Sequence, residues 1–261
     1  MGNSMTIQIR TSVNPVAPVF VSVLLGAASA LGATFSTNPT MDALVTTGPT
    51  GNLVNNNYGG AGSLSLSAAG LEMGELQSVL QFNVAGAASS FNTQFGVGQW
   101  SIESVSLRLT AANANNAVFN SPASGAFSIS WMQNDSWQEG TGTPASPGAS
   151  GITFNSLQTM FIGPNDESLG MFTFNGATSS ASTYTLGLSP GILGDIVSGS
   201  DVSLRLFAAD SAVSGVFSSR NFGTAANRPV LTLVAVPEPH TIALLSLGLM
   251  AAAAWRRRIR R

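Results

Sequence analysis

The chain has no cysteine and no lysine, and its only histidine is His240. The first absence excludes disulfides, so the fold must be held by packing and hydrogen bonds instead of the cross-links common in small secreted domains. It also excludes cysteine nucleophiles and thiolate metal sites. Without lysine there is no Schiff-base chemistry. With its one histidine near the C-terminus, the body of the chain has no imidazole for a Ser-His-Asp triad, for acid/base catalysis or for zinc. Charge is scarce as well, at 8% of 261 residues.

The charge that is present is unevenly placed. Between Leu31 and Val236 stand eleven carboxylates and four arginines, a net of −7, whereas five arginines crowd the last six positions. The middle of the chain therefore lacks the cationic footprint that neutralises phosphates, which excludes nucleic acid as a partner. Its 206 residues can bury a real core and are compatible with one all-β domain.

Both ends read as targeting segments. After Arg10 comes the apolar stretch Val16–Ala30, closing on the small-residue pattern Ala28-Ser29-Ala30, with Leu31-Gly32-Ala33 as a second candidate site. That pattern predicts a secretory signal peptide over 1–30. At the other end, Pro237 and Pro239 bracket Glu238 and fix φ while removing two backbone donors, which sets a hinge. The uncharged run Thr241–Trp255 follows, and its fifteen residues reach only about 22 Å of a hydrocarbon core about 30 Å thick. Arg256, Arg257, Arg258, Arg260 and Arg261 would hold that end on the cytoplasmic side, leaving everything upstream outside. The expected organisation is signal peptide 1–30, exported domain 31–236, and sorting segment 237–261 with a short transmembrane helix.

Pro237-Glu238-Pro239, the short apolar helix and the arginine cluster together resemble the PEP-CTERM sorting signal of Gram-negative bacteria. The resemblance implies processing by an exosortase-type membrane protease, a transient membrane association through the C-terminal helix, and a cell that makes extracellular polysaccharide. It implies a destination in the cell envelope or extracellular matrix.

The exported segment is a series of period-two runs: Leu64 and Leu66; Leu80, Phe82 and Val84; Val105, Leu107 and Leu109; Phe127, Ile129 and Trp131; Phe172 and Phe174; Tyr184, Leu186 and Leu188; Val202, Leu204 and Leu206; Leu231, Leu233 and Ala235. Each alternates with polar or small residues, and Gly, Asn, Ser and Pro fill the gaps. Eight strands with one apolar face apiece predict an antiparallel β-sandwich. One helix is expected, with Ser189 as N-cap, Pro190 at its first position and Gly199 just past its end.

Several stretches resemble exported β-sandwich modules of the DNRLRE type: Asn57-Tyr58-Gly59, the Leu80–Val84 strand, Trp137-Gln138-Glu139-Gly140 followed by Gly151–Asn155, the helix into Gly199–Leu206, and Phe217–Arg220 leading to Arg228–Leu233. Two departures are Gln77-Ser78 where that pattern has an arginine, and Asn221 where it has an acid. The resemblance implies a jelly-roll-like fold, and some modules of this type look carbohydrate-binding.

The remaining chemistry is carboxylate chemistry. Glu72 with Glu75, Asp135 with Glu139, and Asp166 with Glu167 are the pairs a glycosidase could use, but neighbouring acids in one loop read more readily as turn residues or calcium ligands than as groups flanking a glycosidic bond. For binding, Trp137 in a polar loop offers a ring for sugar stacking, and Asn57 and Tyr58 offer an amide and a second ring. Trp131 continues the Phe127, Ile129 alternation and reads as core. Arg220 could meet an acidic sugar or pair with Asp201 or Asp210. The expectation is an exported, non-catalytic surface or matrix protein that binds exopolysaccharide, without a cofactor save calcium. A structural envelope protein with no specific ligand is the alternative, and a carbohydrate-active enzyme the third reading.

Overall fold

The computed structural model describes residues 32–238 together with Gly248 and Trp255. The signal-peptide segment and nearly all of the apolar run and arginine tail lie outside the described residues. Among the described residues, no helix is long and apolar enough to cross a membrane.

Among the described residues, eleven strands form two sheets. They are β1 (Ala33–Thr37), β2 (Met41–Thr46), β3 (Ser63–Ser67), β4 (Leu76–Asn83), β5 (Trp100–Thr110), β6 (Gly125–Met132), β7 (Glu167–Phe174), β8 (Ala181–Leu186), β9 (Asp201–Ala208), β10 (Ser214–Ser218) and β11 (Val230–Pro237). One sheet runs β1-β11-β5-β8; the other runs β10-β3-β4-β9-β6-β7, with β2 also paired to β4. Every pairing between these strands is antiparallel. Ten of the strands nest: β1 pairs with β11, β3 with β10, β4 with β9, β5 with β8 and β6 with β7. A long hairpin rolled up so that its pairs divide between two sheets is a jelly roll.

The apolar phases read from the sequence meet between the sheets. Val105, Leu107 and Leu109 of β5 and Leu231 and Leu233 of β11 pack against Leu80 and Phe82 of β4, Phe127 and Ile129 of β6 and Leu204 and Leu206 of β9. Burying side chains of this size contributes about 1.5–3 kcal/mol each. Trp131 belongs to the same cluster, as its register with Phe127 and Ile129 predicts. The expected helix is α3 (Pro190–Ser198), α1 (Ala85–Phe95) and the three-residue α2 (Phe154–Ser156) being the earlier ones. Ser189 and Pro190 stand where expected at its start, and Gly199 ends it at φ +72°, a left-handed value that a side chain would strain.

Beyond the expected elements stand the strands β1, β2 and β10, the helices α1 and α2, and short π-helical and 3-10 turns. A second apolar cluster, also unexpected, lies on the outer face of the larger sheet, where Ala43, Val45, Val79 and Met132 are covered by Trp137, Ile152 and Leu157. The connection from β6 to β7, which holds α2 and a π-helical turn (Leu157–Phe161), supplies that cover. Two loops flanking this cover carry the acidic and amide residues singled out above.

Candidate functional site

Asp42 is the one acid in the otherwise apolar β2, and it is buried. Its backbone N–H donates to Glu139 Oε1 at 3.2 Å, and its Oδ2 accepts the backbone N–H of Arg220 at 2.6 Å. The Arg220 guanidinium closes the triangle by gripping Glu139 with two nitrogens, Nε to Oε1 at 2.6 Å and Nη2 to Oε2. This links β2, the β6–β7 connection and the turn after β10 through one bidentate ion pair. Burial pushes the Asp42 carboxyl up to about 7, against the pull of the Arg220 N–H, and Glu139 adds to the rise. Asp42 Oδ1 has no partner among the described residues. The bond to Glu139 raises the Arg220 guanidinium further above its ordinary range.

Asn57 ties the same region from beneath. Its Nδ2 donates to the carbonyls of Glu139 at 2.7 Å and Ile152 at 2.8 Å, while its Oδ1 accepts the N–H groups of Gly59 at 3.2 Å and Gly142 at 3.1 Å. Two donors and two lone pairs are the full capacity of an amide side chain, and all four are used. The backbones approach so closely that a Cβ on Gly142 would stand 1.9 Å from the Asn57 carbonyl oxygen, and one on Gly59 2.0 Å from that of Glu139. Glycine is required at both.

These geometries correct the ligand platform. Trp137 and Asn57 are 0% exposed and Tyr58 1%, so none presents a surface to a sugar. Trp137 is the plug of the outer cluster and spends its indole N–H on Ser203 Oγ at 3.0 Å. Tyr58 packs with Leu44, Leu76, Phe119 and Val216, and its hydroxyl accepts from Asn56. Arg220 is paired with Glu139 and with neither acid expected for it: Asp201 accepts from Asn83, and Asp210 accepts three backbone N–H groups. Asp42 and Ser203 were missed; a lone acid inside an apolar strand was the signal for the first.

The carboxylate pairs are separated by the fold. Glu139 belongs to the Arg220 cluster, whereas Asp135 lies near Asp195 and Asp201, where burial pushes it up to about 6. Asp166 accepts the N–H groups of Gln133 and Gly163, and Glu167 that of Gly191. Glu75 accepts from Gln77, while Glu72 is exposed on its turn. Asp42 and Glu139 are also brought together from distant segments, and burial with Arg220 between them closes that pair to substrate. Among the described residues, no group of three or more acids or histidines is arranged to hold a metal ion.

At the C-terminal edge, β11 pairs through Pro237, which stands opposite Trp100, and Glu238 N–H donates to the Gln99 carbonyl at 2.9 Å. The last strand thus runs one residue past the expected domain boundary and takes in the first hinge proline. Residues 235–258 match the family described as the PEP-CTERM protein-sorting motif. This is a PEP-CTERM sorting signal. The PEP-CTERM motif implies an exported protein whose precursor is anchored in the membrane of the cell envelope and processed by an exosortase. The match overlaps the sandwich only in the last three residues of β11, so the likeness to DNRLRE-type modules rests on the quoted stretches alone. No curated protein matches the chain.

Proposed function

We propose that this PEP-CTERM protein is a non-catalytic, structural component of the cell surface or extracellular matrix of a Gram-negative bacterium, acting in association with exopolysaccharide. The observation that carries this reading is the spending of the candidate groups. Asn57, Trp137, Glu139 and Arg220 are all used to hold the β6–β7 connection and the turn after β10 to the sandwich. Such a cluster favours a role in mechanical persistence outside the cell, where a domain without disulfides must keep its loops closed. The acid pairs support the non-catalytic part: none places two accessible carboxylates on either side of a glycosidic bond.

The test compares matrix from the wild-type strain with matrix from a strain lacking the protein. The protein is expected to fractionate with exopolysaccharide, its loss to lower the matrix's elastic modulus, and the polymer's length distribution to stay the same on incubation with the full chain, with or without calcium. Shortened polymer would establish an enzyme instead. A matrix of unchanged stiffness would remove the structural role.

A further inference from the structure

A cavity of about 270 Å³ opens between the two sheets at the end of the roll away from Pro237. Its wall comes from the end of β5 and the residues after it, the start of β3, the end of β10, the β7–β8 loop and the turn before β11. Eight of the eleven lining residues carry a hydroxyl or amide, and no lining residue is charged. None of those eight side chains makes a hydrogen bond to another described residue, in contrast to Asn57, whose amide is saturated. Two of them are deep in the structure: Thr110 is 6% and Ser218 1% exposed, and the hydroxyl oxygens of both are buried without a partner. Leaving a buried hydroxyl unpaired costs about 1–3 kcal/mol. Two such hydroxyls at one cavity mark groups awaiting a partner from outside the chain.

We propose that this cavity binds a neutral sugar unit of a polysaccharide chain. The absence of charge disfavours uronates, sulfates and phosphates, whose desolvation would go uncompensated. Asn113, Asn115 and Asn227 supply amide donors and acceptors, and the two buried hydroxyls can do either, which is the complement a ring of hydroxyls requires. The half-buried ring of Phe222 supplies an apolar wall for the sugar's C–H face. Its turn is held from behind by Arg228, whose Nε donates to the Phe222 carbonyl at 3.0 Å. The volume lies at the small end of ligand sites, suiting one ring of a polymer and not a large ligand. The proposal deepens the structural reading above, on which it rests for the source of the glycan.

The experiment uses the full chain in a detergent without a sugar head group. Equilibrium binding is measured to neutral glucose, galactose and mannose oligosaccharides and to a uronic acid oligosaccharide. At least one neutral series is expected to bind saturably and more tightly than the uronate. Thr110→Val with Ser218→Ala should weaken that binding tenfold or more while leaving the melting temperature equal or higher, since it removes buried hydroxyls that the fold does not use. Phe222→Ala, on the surface, should weaken it without touching either strand. No binding to any neutral oligosaccharide, unchanged binding in both variants, or preference for the uronate would each overturn the proposal. Matrix fractionation reports separately on the structural reading, so wild-type binding without matrix association would overturn that reading and leave the cavity's assignment standing.

Discussion

Asn57 Oδ1 accepts the backbone N–H of Gly142 across eighty-five positions of sequence, at 3.1 Å, in a space where Gly142 has no room for a methyl group. Asn57→Ala would leave two buried carbonyls and two buried N–H groups without partners, at about 1–3 kcal/mol each. Denaturant unfolding should show a loss of several kcal/mol. Asn57→Asp should be comparably damaging, because a carboxylate would face the Glu139 and Ile152 carbonyls where an NH₂ now donates. An aspartate variant of wild-type stability would show that the amide is not what holds the loop.

Trp137 and Trp131 should behave alike although one stands in a polar loop and the other in a strand. Both rings are buried, so either alanine variant should lose about 3–5 kcal/mol. Trp137→Phe should recover much of that loss, lacking only the bond to Ser203. A Trp137→Ala melting curve close to wild type would contradict its place as the plug of the outer cluster.

Asp42 gives the fold a pH dependence with a definite sign. Its carboxyl is held at about 7 in the folded chain against an ordinary 3.8, so the fold favours the protonated form. The stabilisation is complete below about pH 4 and is lost as pH rises toward 7, a change on the order of a few kcal/mol. Asp42→Asn keeps an acceptor for the Arg220 N–H and cannot ionise. The difference in unfolding free energy, variant minus wild type, should grow between pH 4 and 7 and level off above. A difference that is flat across that window would show Asp42 to be ionised in the fold.

Leu107→Asp places a charge in the core and should unfold the domain, while Ser106→Asp, on the opposite face of β5, should cost under about 1 kcal/mol. Circular dichroism of the two variants checks the facing of the sheet.

Replacing Arg256, Arg257, Arg258, Arg260 and Arg261 with serine should leave the protein exported but unprocessed or mis-sorted, because the basic cluster sets the orientation of the apolar run. Fractionation and the mobility of the product measure this. Normal processing of the variant would show the arginines to be dispensable.

The eight strands that were legible share one property: apolar side chains toward the core alternate with polar or small ones, whether the second face meets water, as in β5, or is buried with hydroxyls and amides such as Ser65, Ser67, Gln77 and Gln81 in β3 and β4. β2 and β10 escape because apolar residues stand on both their faces. Val216 points into the cluster around Tyr58 while its neighbour Phe217 points between the sheets, so neither strand shows a wet phase. In α1, only Ala87 and Phe91 are buried, and two residues of a Gly-Ala-Ser segment make too thin a stripe to see. The function of Trp137 was illegible for a different reason. Its surroundings in sequence are polar because Ser136 and Gln138 face solvent and Glu139 pairs with Arg220, and only the path of that loop over the outer sheet reveals what the ring covers. The sorting signal was fully legible because its meaning lies in local order and not in a fold.

The pairing of β11 fixes which rim of the sandwich leads into the sorting signal. Its last residues meet both Trp100 of β5 and, at Ala235, the first residue of β1, so the chain enters and leaves the sandwich at the same rim. At the other end of β11, Val230 stands opposite Arg108, two residues before Thr110. Seven steps of a strand span about 24 Å. The rim where the sandwich leads into the sorting signal and the rim where the cavity opens are therefore opposite, one strand length apart.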